Sequence, residues 1–350
     1  MTKTALITGI TGQDGAYLAK FLLEKGYKVF GTYRRNSTPN FWRLQYTDVF
    51  NKITLIPADM ADMASLLEAI TVSDPDEIYN LAAQSYVGAS FDQPLLTSEI
   101  DGSGTVRILE IIRHLKKDIK LYQASTSELY GTVQETPQTE RTPFMPNSPY
   151  AVAKLSGFHN LRIYREAYGI FASNGILFNH ESPLRGLEFV TRKITNSVAR
   201  IKLGLQKELV LGNMAAKRDW GFAPEFVEAM WMMLQQDTPS DYVCATGETH
   251  SVKEFVDAAF AHVNLNPDDF VKTNEMFMRP KDVNLLLGDP TKLKEEIGWK
   301  PKVTFKELVK IMVDADIDRW TKYQKGEMFP WDAPNYPDDM DVVKRHIRKK

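Results

Sequence analysis

The sequence predicts an α/β fold in which a doubly wound parallel sheet carries helices on both faces. Three observations predict it. A short apolar run opens the chain and leads through a glycine-rich turn into a helix; apolar runs of strand length then alternate with segments of helical periodicity; and polar residues suited to chemistry gather where those runs end. In open sheets of this kind ligands bind beyond the carboxyl ends of the strands, so the run ends are where function is sought.

The first strand, Thr4-Ala-Leu-Ile-Thr8, runs into Gly9-Ile-Thr-Gly-Gln-Asp-Gly15 and then a helix marked by Leu18, Phe21 and Leu22 and stopped at Gly26. The three glycines allow a tight turn, a close approach of backbone to a pyrophosphate, and close packing of helix on strand. A pyrophosphate there rests on free N–H groups where the helix dipole favours an anion. This is the mark of a Rossmann-like dinucleotide site, with Gly-x-x-Gly-x-x-Gly in place of the commoner Gly-x-Gly-x-x-Gly. Thr11, Gln13 and Asp14 complete the loop as candidate cofactor contacts.

The second strand, from Tyr27, ends in Tyr33-Arg34-Arg35. An acid at this place would bind the ribose 2′-hydroxyl of NAD; two arginines instead suit the extra phosphate of NADP, with a solvated surface pair as the competing reading. The third, Ile53 to Pro57, leads to Asp59-Met60, an acid and an apolar side chain placed to flank an adenine. The fourth ends in Leu81-Ala82-Ala83, small enough for a cofactor to approach the backbone. Helices are expected over Met63 to Ile70 and over Leu95 to Leu115. The fifth strand, Ile119 to Ala124, delivers Ser125-Thr126-Ser127-Glu128 into the crevice.

Pro149-Tyr150-Ala-Val-Ala-Lys154 then places Tyr150 and Lys154 one above the other on a helix face. An ordinary tyrosine, with a pKa of about 10, is a poor base at neutral pH. A nearby ammonium is expected to lower it, and the same lysine is placed to hold a nicotinamide ribose.

Composition closes off other classes. With 350 residues, 43% hydrophobic, 25% charged and a net charge of −2, the chain has core enough for one large or two modest domains and no electrostatic footprint for nucleic acid. The single cysteine, Cys244, sits in an apolar run and excludes a disulfide within the chain, which fits a reducing cytoplasm. No basic-and-apolar leader and no run long enough for a bilayer is present, so no membrane partner is expected. Asn179-His180-Glu181 lacks the spacing of a metal site and reads as a loop at the cofactor edge, with His180 a cofactor contact.

Taken together, Thr8-Gly9-x-x-Gly12-x-x-Gly15 and Tyr150-x-x-x-Lys154 resemble the extended short-chain dehydrogenase/reductase family. Within it the chain is similar to the GDP-sugar 4,6-dehydratases, through Gly9 to Gly15, Leu81 to Ser85, Ser125 to Glu128, Phe178 to Gly186 and Lys217 to Gly221, over about residues 1 to 320. The resemblance implies that Thr126, Glu128 and Tyr150 act on the hexose with Lys154 in support. It also implies that Ser85, Asn179, Val190, Lys193, Gly212, Arg218, Arg279 and Asp282 hold a GDP-sugar, and that the protein is a homo-oligomer, a tetramer or dimer, in which the loop from Arg35 reaches a neighbour's cofactor. Three places depart from that pattern: Tyr86 stands for a histidine, Ala215 for an aspartate, and Asp282 and Asn284 for glutamate and aspartate.

The reaction so implied is NADP-dependent dehydration of GDP-mannose: oxidation at C4, loss of water across C5 and C6, and return of hydride to C6. A GDP-heptose dehydratase, an epimerase or 4-ketoreductase, and a non-catalytic dinucleotide sensor are the rivals; Glu128, an acid for C5, speaks against the last two. The expected organisation is a cofactor domain over 1–178 with a returning segment near 219–245, a smaller C-terminal α/β substrate domain over 179–218 and 246–320, and a polar tail over 321–350.

Overall fold

The computed structural model describes residues 2–37, 40–115, 118–274, 283 and 285–327. Its centre is a seven-stranded, all-parallel sheet of β1 (Thr4–Thr8), β2 (Lys28–Tyr33), β3 (Thr54–Pro57), β4 (Glu77–Asn80), β5 (Lys120–Thr126), β6 (Ala172–Leu177) and β7 (Asp241–Cys244). The order is β7-β6-β5-β4-β1-β2-β3, so the winding direction reverses at β1 and opens a crevice between the ends of β1 and β4.

Helices cover both faces because the strands are apolar on both. Helices α1 (Gln13–Glu24) and Ala223–Leu234 pack together on one face through Leu18, Leu22, Met230 and Met233. On the other face α2 (Met63–Ser73), α3 (Gly104–Leu115) and α4 (Pro149–Tyr168) bury Leu66, Ile108, Ile112 and Leu161. A separate apolar cluster lies outside the sheet, where α5 (Val190–Lys202), α7 (Val252–His262) and α8 (Phe305–Gln324) meet through Val198, Phe255, Phe260 and Met312, with Ala223–Leu234 numbered α6.

The strand ends that form the crevice are held in register by a buried polar chain. Thr8 Oγ1 donates to Asn80 Oδ1 at 2.6 Å, Asn80 Nδ2 donates to Gln123 Oε1 at 2.7 Å, and the N–H groups of Leu81 and Ala82 both donate to Thr8 Oγ1 at 3.1 Å. Each of these groups left unpaired would cost about 1–3 kcal/mol, which fixes where β4 stops and the loop to Ser85 begins.

Three elements differ from the sequence expectation. The helix expected over Leu95 to Leu115 is present from Pro94 onward, but between Pro94–Thr97 and α3 it widens into a π turn, Ser98–Ser103. Close packing is the physical correlate: a Cβ on Gly102 would lie 3.3 Å from Ala153 O, and one on Gly157 would lie 3.0 Å from Thr105 Oγ1. Asn179–Glu181 is a short strand, not a loop; it pairs in parallel with Trp220–Phe222. Helix α8 runs on to Gln324, into the stretch read as tail; residues 328–350 lie outside the described residues.

Candidate active site

The loop after β1 has the shape its glycines require. Gly9 has φ +67°, and a Cβ on it would lie 2.8 Å from Ala82 Cα at the end of the neighbouring strand. A Cβ on Gly15 would lie 2.5 Å from Ile10 Cα, so only glycine lets α1 pack against the loop. Gly12 differs: its Cβ would meet only Gly9 O, at 3.3 Å, and as N-cap of α1 it supplies no side chain to the first-turn N–H groups. That leaves an open, donor-rich helix start, the arrangement that binds a pyrophosphate.

Gln13 and Asp14 turn away from that opening. Gln13 Nε2 donates to His180 O at 3.1 Å, Ser182 Oγ donates to Gln13 Oε1 at 2.7 Å, and Asp14 Oδ2 meets His180 Nε2 at 2.8 Å. His180, expected at the cofactor edge, is buried, stacked on Phe226 at 4.7 Å and bonded through Nδ1 to Phe178 O at 2.8 Å. Burial opposes both charges of the Asp14–His180 pair, yet their attraction prevails: Asp14 is held below and His180 above its ordinary value. The three side chains tie α1 to the strand Asn179–Glu181.

At the end of β2, Arg34 and Arg35 are exposed. Asp59 is half-buried and accepts the Ala61 N–H, whereas Met60 is buried among Leu66, Ile108 and Ile112 with its Cε against Gly104, so it faces the core rather than the crevice. Leu81, Ala82 and Ala83 line the loop after β4; Ser85 is exposed beside Tyr86, whose ring meets Phe189 edge-on at 6.1 Å.

The catalytic candidates converge at the ends of β5 and α4. Thr126 caps a 3₁₀ turn, Ser127–Tyr130, by accepting the Glu128 N–H at 3.2 Å, and this turn carries the half-buried Glu128 into the cleft. Ser148 caps α4 through the Ala151 N–H at 3.1 Å, with Pro149 in the first turn, and the helix then presents Tyr150 and Lys154 inward, 7% and 3% exposed.

Tyr150 is raised rather than lowered in this arrangement, contrary to the expectation from its spacing with Lys154. The Lys154 Nζ lies 5.9 Å from the phenol ring centroid and donates to Ala124 O at 3.1 Å. Tyr150 is pushed up, first by burial and then by the negative charges of Asp101 and Glu128, with Thr126 and Arg185 opposing. Burial pulls Lys154 down, with Asp101 opposing.

Beyond Glu128 lies an open cleft with a volume of about 140 Å³. Asn179, Val190, Gly212 and Arg218 line it, as the resemblance implies, whereas Ser85 and Lys193 are not among its lining residues. Arg218 is mostly buried and donates to the carbonyls of Lys217 and Val283 at 2.9 and 2.5 Å. Arg279, Asp282 and Asn284 lie outside the described residues. The cleft also contains Glu181, Arg185 and Trp220, which sequence reasoning did not single out. Glu181 accepts from Thr191 Oγ1 at 2.5 Å and pairs with Arg185 Nε at 3.1 Å, and Arg185 lies 3.7 Å over the Phe189 ring. The i, i+4 spacing of Glu181 and Arg185 was the available signal, but it has that meaning only on a helix and here it spans a strand and a turn. Among the described residues no group of three His, Cys, Asp or Glu side chains comes together to hold a metal, and no helix is long and apolar enough to cross a membrane.

A glycine-cradled helix start at a topological switch point, beside an inward Tyr150–Lys154 pair, defines a Rossmann-like protein of the extended short-chain dehydrogenase/reductase class. In three dimensions the chain is similar to Thermus thermophilus UDP-glucose 4-epimerase, solved with NAD, at a TM-score of 0.79 and 26% identity over 89% of this chain and 98% of that one. Residues 6–312 match the family model described as GDP-mannose 4,6 dehydratase. The chain is 53% identical to the GDP-mannose 4,6 dehydratase of Drosophila melanogaster over 91% of this chain and 87% of the relative, and 50% identical to that of Homo sapiens over 90% and 91%. It belongs to the GDP-mannose 4,6-dehydratase family.

Proposed function

We propose that the protein is an NADP-dependent GDP-mannose 4,6-dehydratase that forms GDP-4-keto-6-deoxymannose. The observation that carries the reading is Glu128 at the cleft, on the turn that follows β5 and is capped by Thr126. Identity near one half to relatives bearing that name supports it. The open start of α1 fits a dinucleotide: a side chain on Gly12 would point into space that the fold itself leaves unused. Arg34 and Arg35, exposed at the end of β2, suit the 2′-phosphate of NADP.

The bound nicotinamide supplies a hydride acceptor for C4 that later serves as donor to C6. Tyr150 takes the proton from the 4-hydroxyl as hydride leaves C4. The phenol is too basic to have lost its proton beforehand, so it needs an added positive charge, from a cationic nicotinamide ring or a shifted Lys154, to act as the base. The C4 ketone then acidifies C5, and Glu128 removes that proton. As the acid it has become, Glu128 delivers a proton to the departing C6 hydroxyl, which leaves as water. Return of the hydride to C6 would be matched by a solvent-exchanged proton at C5 while Tyr150 gives up the one it took, so that residue and cofactor would end as they began. Asn179, Val190, Lys193, Gly212 and Arg218 would hold the nucleotide sugar, with Arg279 and Asp282, and Ser85 would meet the hexose. The organisation in keeping with this is a cofactor domain built on the sheet and a substrate domain built around α5, α7 and α8.

Incubation with GDP-mannose, GDP-heptose and other GDP-sugars, followed by mass spectrometry, tests the reading. Loss of 18 mass units, about one water, from GDP-mannose without net consumption of NADP is expected. Absence of any such product, or stoichiometric oxidation or reduction of cofactor, would refute it.

A further inference from the structure

Asp101 has no part in the chemistry above, yet it is buried at the catalytic pair. It sits in the π turn Ser98–Ser103, 1% exposed. Its Oδ1 accepts the Gln84 N–H at 2.8 Å, in the loop that follows β4. Its Oδ2 is buried and has no hydrogen-bond partner. A carboxylate oxygen taken out of water costs several kcal/mol unless something nearby compensates. The charged group acting on it is the Lys154 ammonium, itself buried and donating to Ala124 O at 3.1 Å.

The local backbone brings the two together. The π turn packs more closely on α4 than a regular helix with side chains would allow. A Cβ on Gly157 would lie 3.2 Å from Asp101 O, and one on Gly102 would lie 3.3 Å from the carbonyl of Ala153, the neighbour of Lys154. The π turn thereby sets Asp101 against the face of α4 that carries Tyr150 and Lys154.

We propose that Asp101 is a positioning residue for the Tyr150–Lys154 pair: its carboxylate keeps Lys154 charged inside the protein and links that charge, through Gln84, to the loop at the crevice. The inference rests on the dehydratase reading only for its kinetic test. Burial raises Asp101 to about 6, with Lys154 and the Gln84 N–H opposing, so it is ionised where the enzyme would work. Its charge raises both partners that face it, Lys154 and Tyr150; Glu128 and Arg185 act on Tyr150 but are not among the groups that shift Asp101.

Asp101→Asn retains the acceptor for Gln84 and removes the charge. Lys154 then loses its proton at lower pH, and Tyr150 loses its own more readily. The profile of kcat/KM against pH is expected to move toward acid, its alkaline limb by about one unit or more. A uniform loss of rate with the limbs unmoved, or no change, overturns the proposal. A second measurement does not depend on the substrate: thermal melts of Asp101→Asn, Lys154→Met and the double variant. Lys154→Met leaves a buried charge without its partner, so adding Asp101→Asn is expected to restore part of the lost melting temperature. If Asp101→Asn lowers the melting temperature equally with or without Lys154, the coupling is absent and the proposal fails. A protein inert toward every GDP-sugar would refute the proposed function, while the melts would still decide the role of Asp101.

Discussion

At the scale of single residues, Glu128, the proposed base for C5, is expected to separate dehydration from oxidation. Glu128→Gln keeps size and hydrogen bonding but removes the proton acceptor, while Tyr150 and Lys154 are untouched. Loss of a positioned base costs about 10²- to 10⁴-fold, so dehydration should fall by that factor with little change in substrate affinity, and ketone should accumulate with reduced cofactor. Stopped-flow absorbance at the NADPH band checks this. In heavy water the unmodified enzyme should place deuterium at C5 while C6 keeps the hydrogen that began on C4. A second residue carries a pH dependence. Asp219 is fully buried, accepting from Thr246 N, Thr246 Oγ1 and Gly247 N at 2.9, 2.7 and 3.0 Å, and burial raises it from 3.8 to about 6. Because the folded value lies above the unfolded one, its contribution is fully present below pH 3.8 and is lost as pH rises to about 6, on the order of 3 kcal/mol. Asp219→Asn should therefore flatten the fall in melting temperature across that window, measured by calorimetry against the unmodified protein.

At the scale of elements, two glycines of one loop should behave differently. Gly15→Ala drives a Cβ to 2.5 Å from Ile10 Cα and 2.7 Å from Gly9 O, both backbone, so α1 must lift from the loop. Both melting temperature and cofactor binding should fall. Gly12→Ala meets only Gly9 O at 3.3 Å, so the fold should hold with a change below about 1 kcal/mol while the methyl group obstructs the pyrophosphate. Melts paired with NADPH fluorescence titration check the contrast; a Gly12→Ala protein that binds normally would remove the dinucleotide from this loop. Arg34→Ala belongs at the same scale, since β2 exists in this reading to deliver that side chain. It should narrow the preference for NADP over NAD, read by the same titration with both cofactors.

At the scale of the whole molecule, Leu95 is 85% exposed and Leu96 42% on the short turn before the π segment, and Val152 is 55% exposed on α4, which that turn contacts. Single exposed apolar residues need no explanation, but two leucines and a valine on two contacting elements suit an interface with a second copy of the chain. Light scattering should give a dimer or tetramer, and Leu95→Glu should shift it toward monomer. An active monomer of the unmodified protein would dispose of the oligomer.

By itself the sequence determined the sheet and the phosphate loop and put Tyr150 and Lys154 on one helix face, because each is signalled locally: apolar run length, glycine spacing, and i, i+4 geometry on one helix. It could not determine the π turn, since Leu95 to Leu115 keeps a helical period and only the close approach of Gly102 and Gly157 to facing atoms shows why the coil widens. Nor could it show that His180 is consumed by Asp14, 166 residues away, or that burial, and after it the charge of Asp101, keeps Tyr150 basic. Burial and charge act through space, between segments whose separation along the chain carries no period to read. Spacing therefore decided which residues share a face, and the tertiary structure alone decided what each of them meets there.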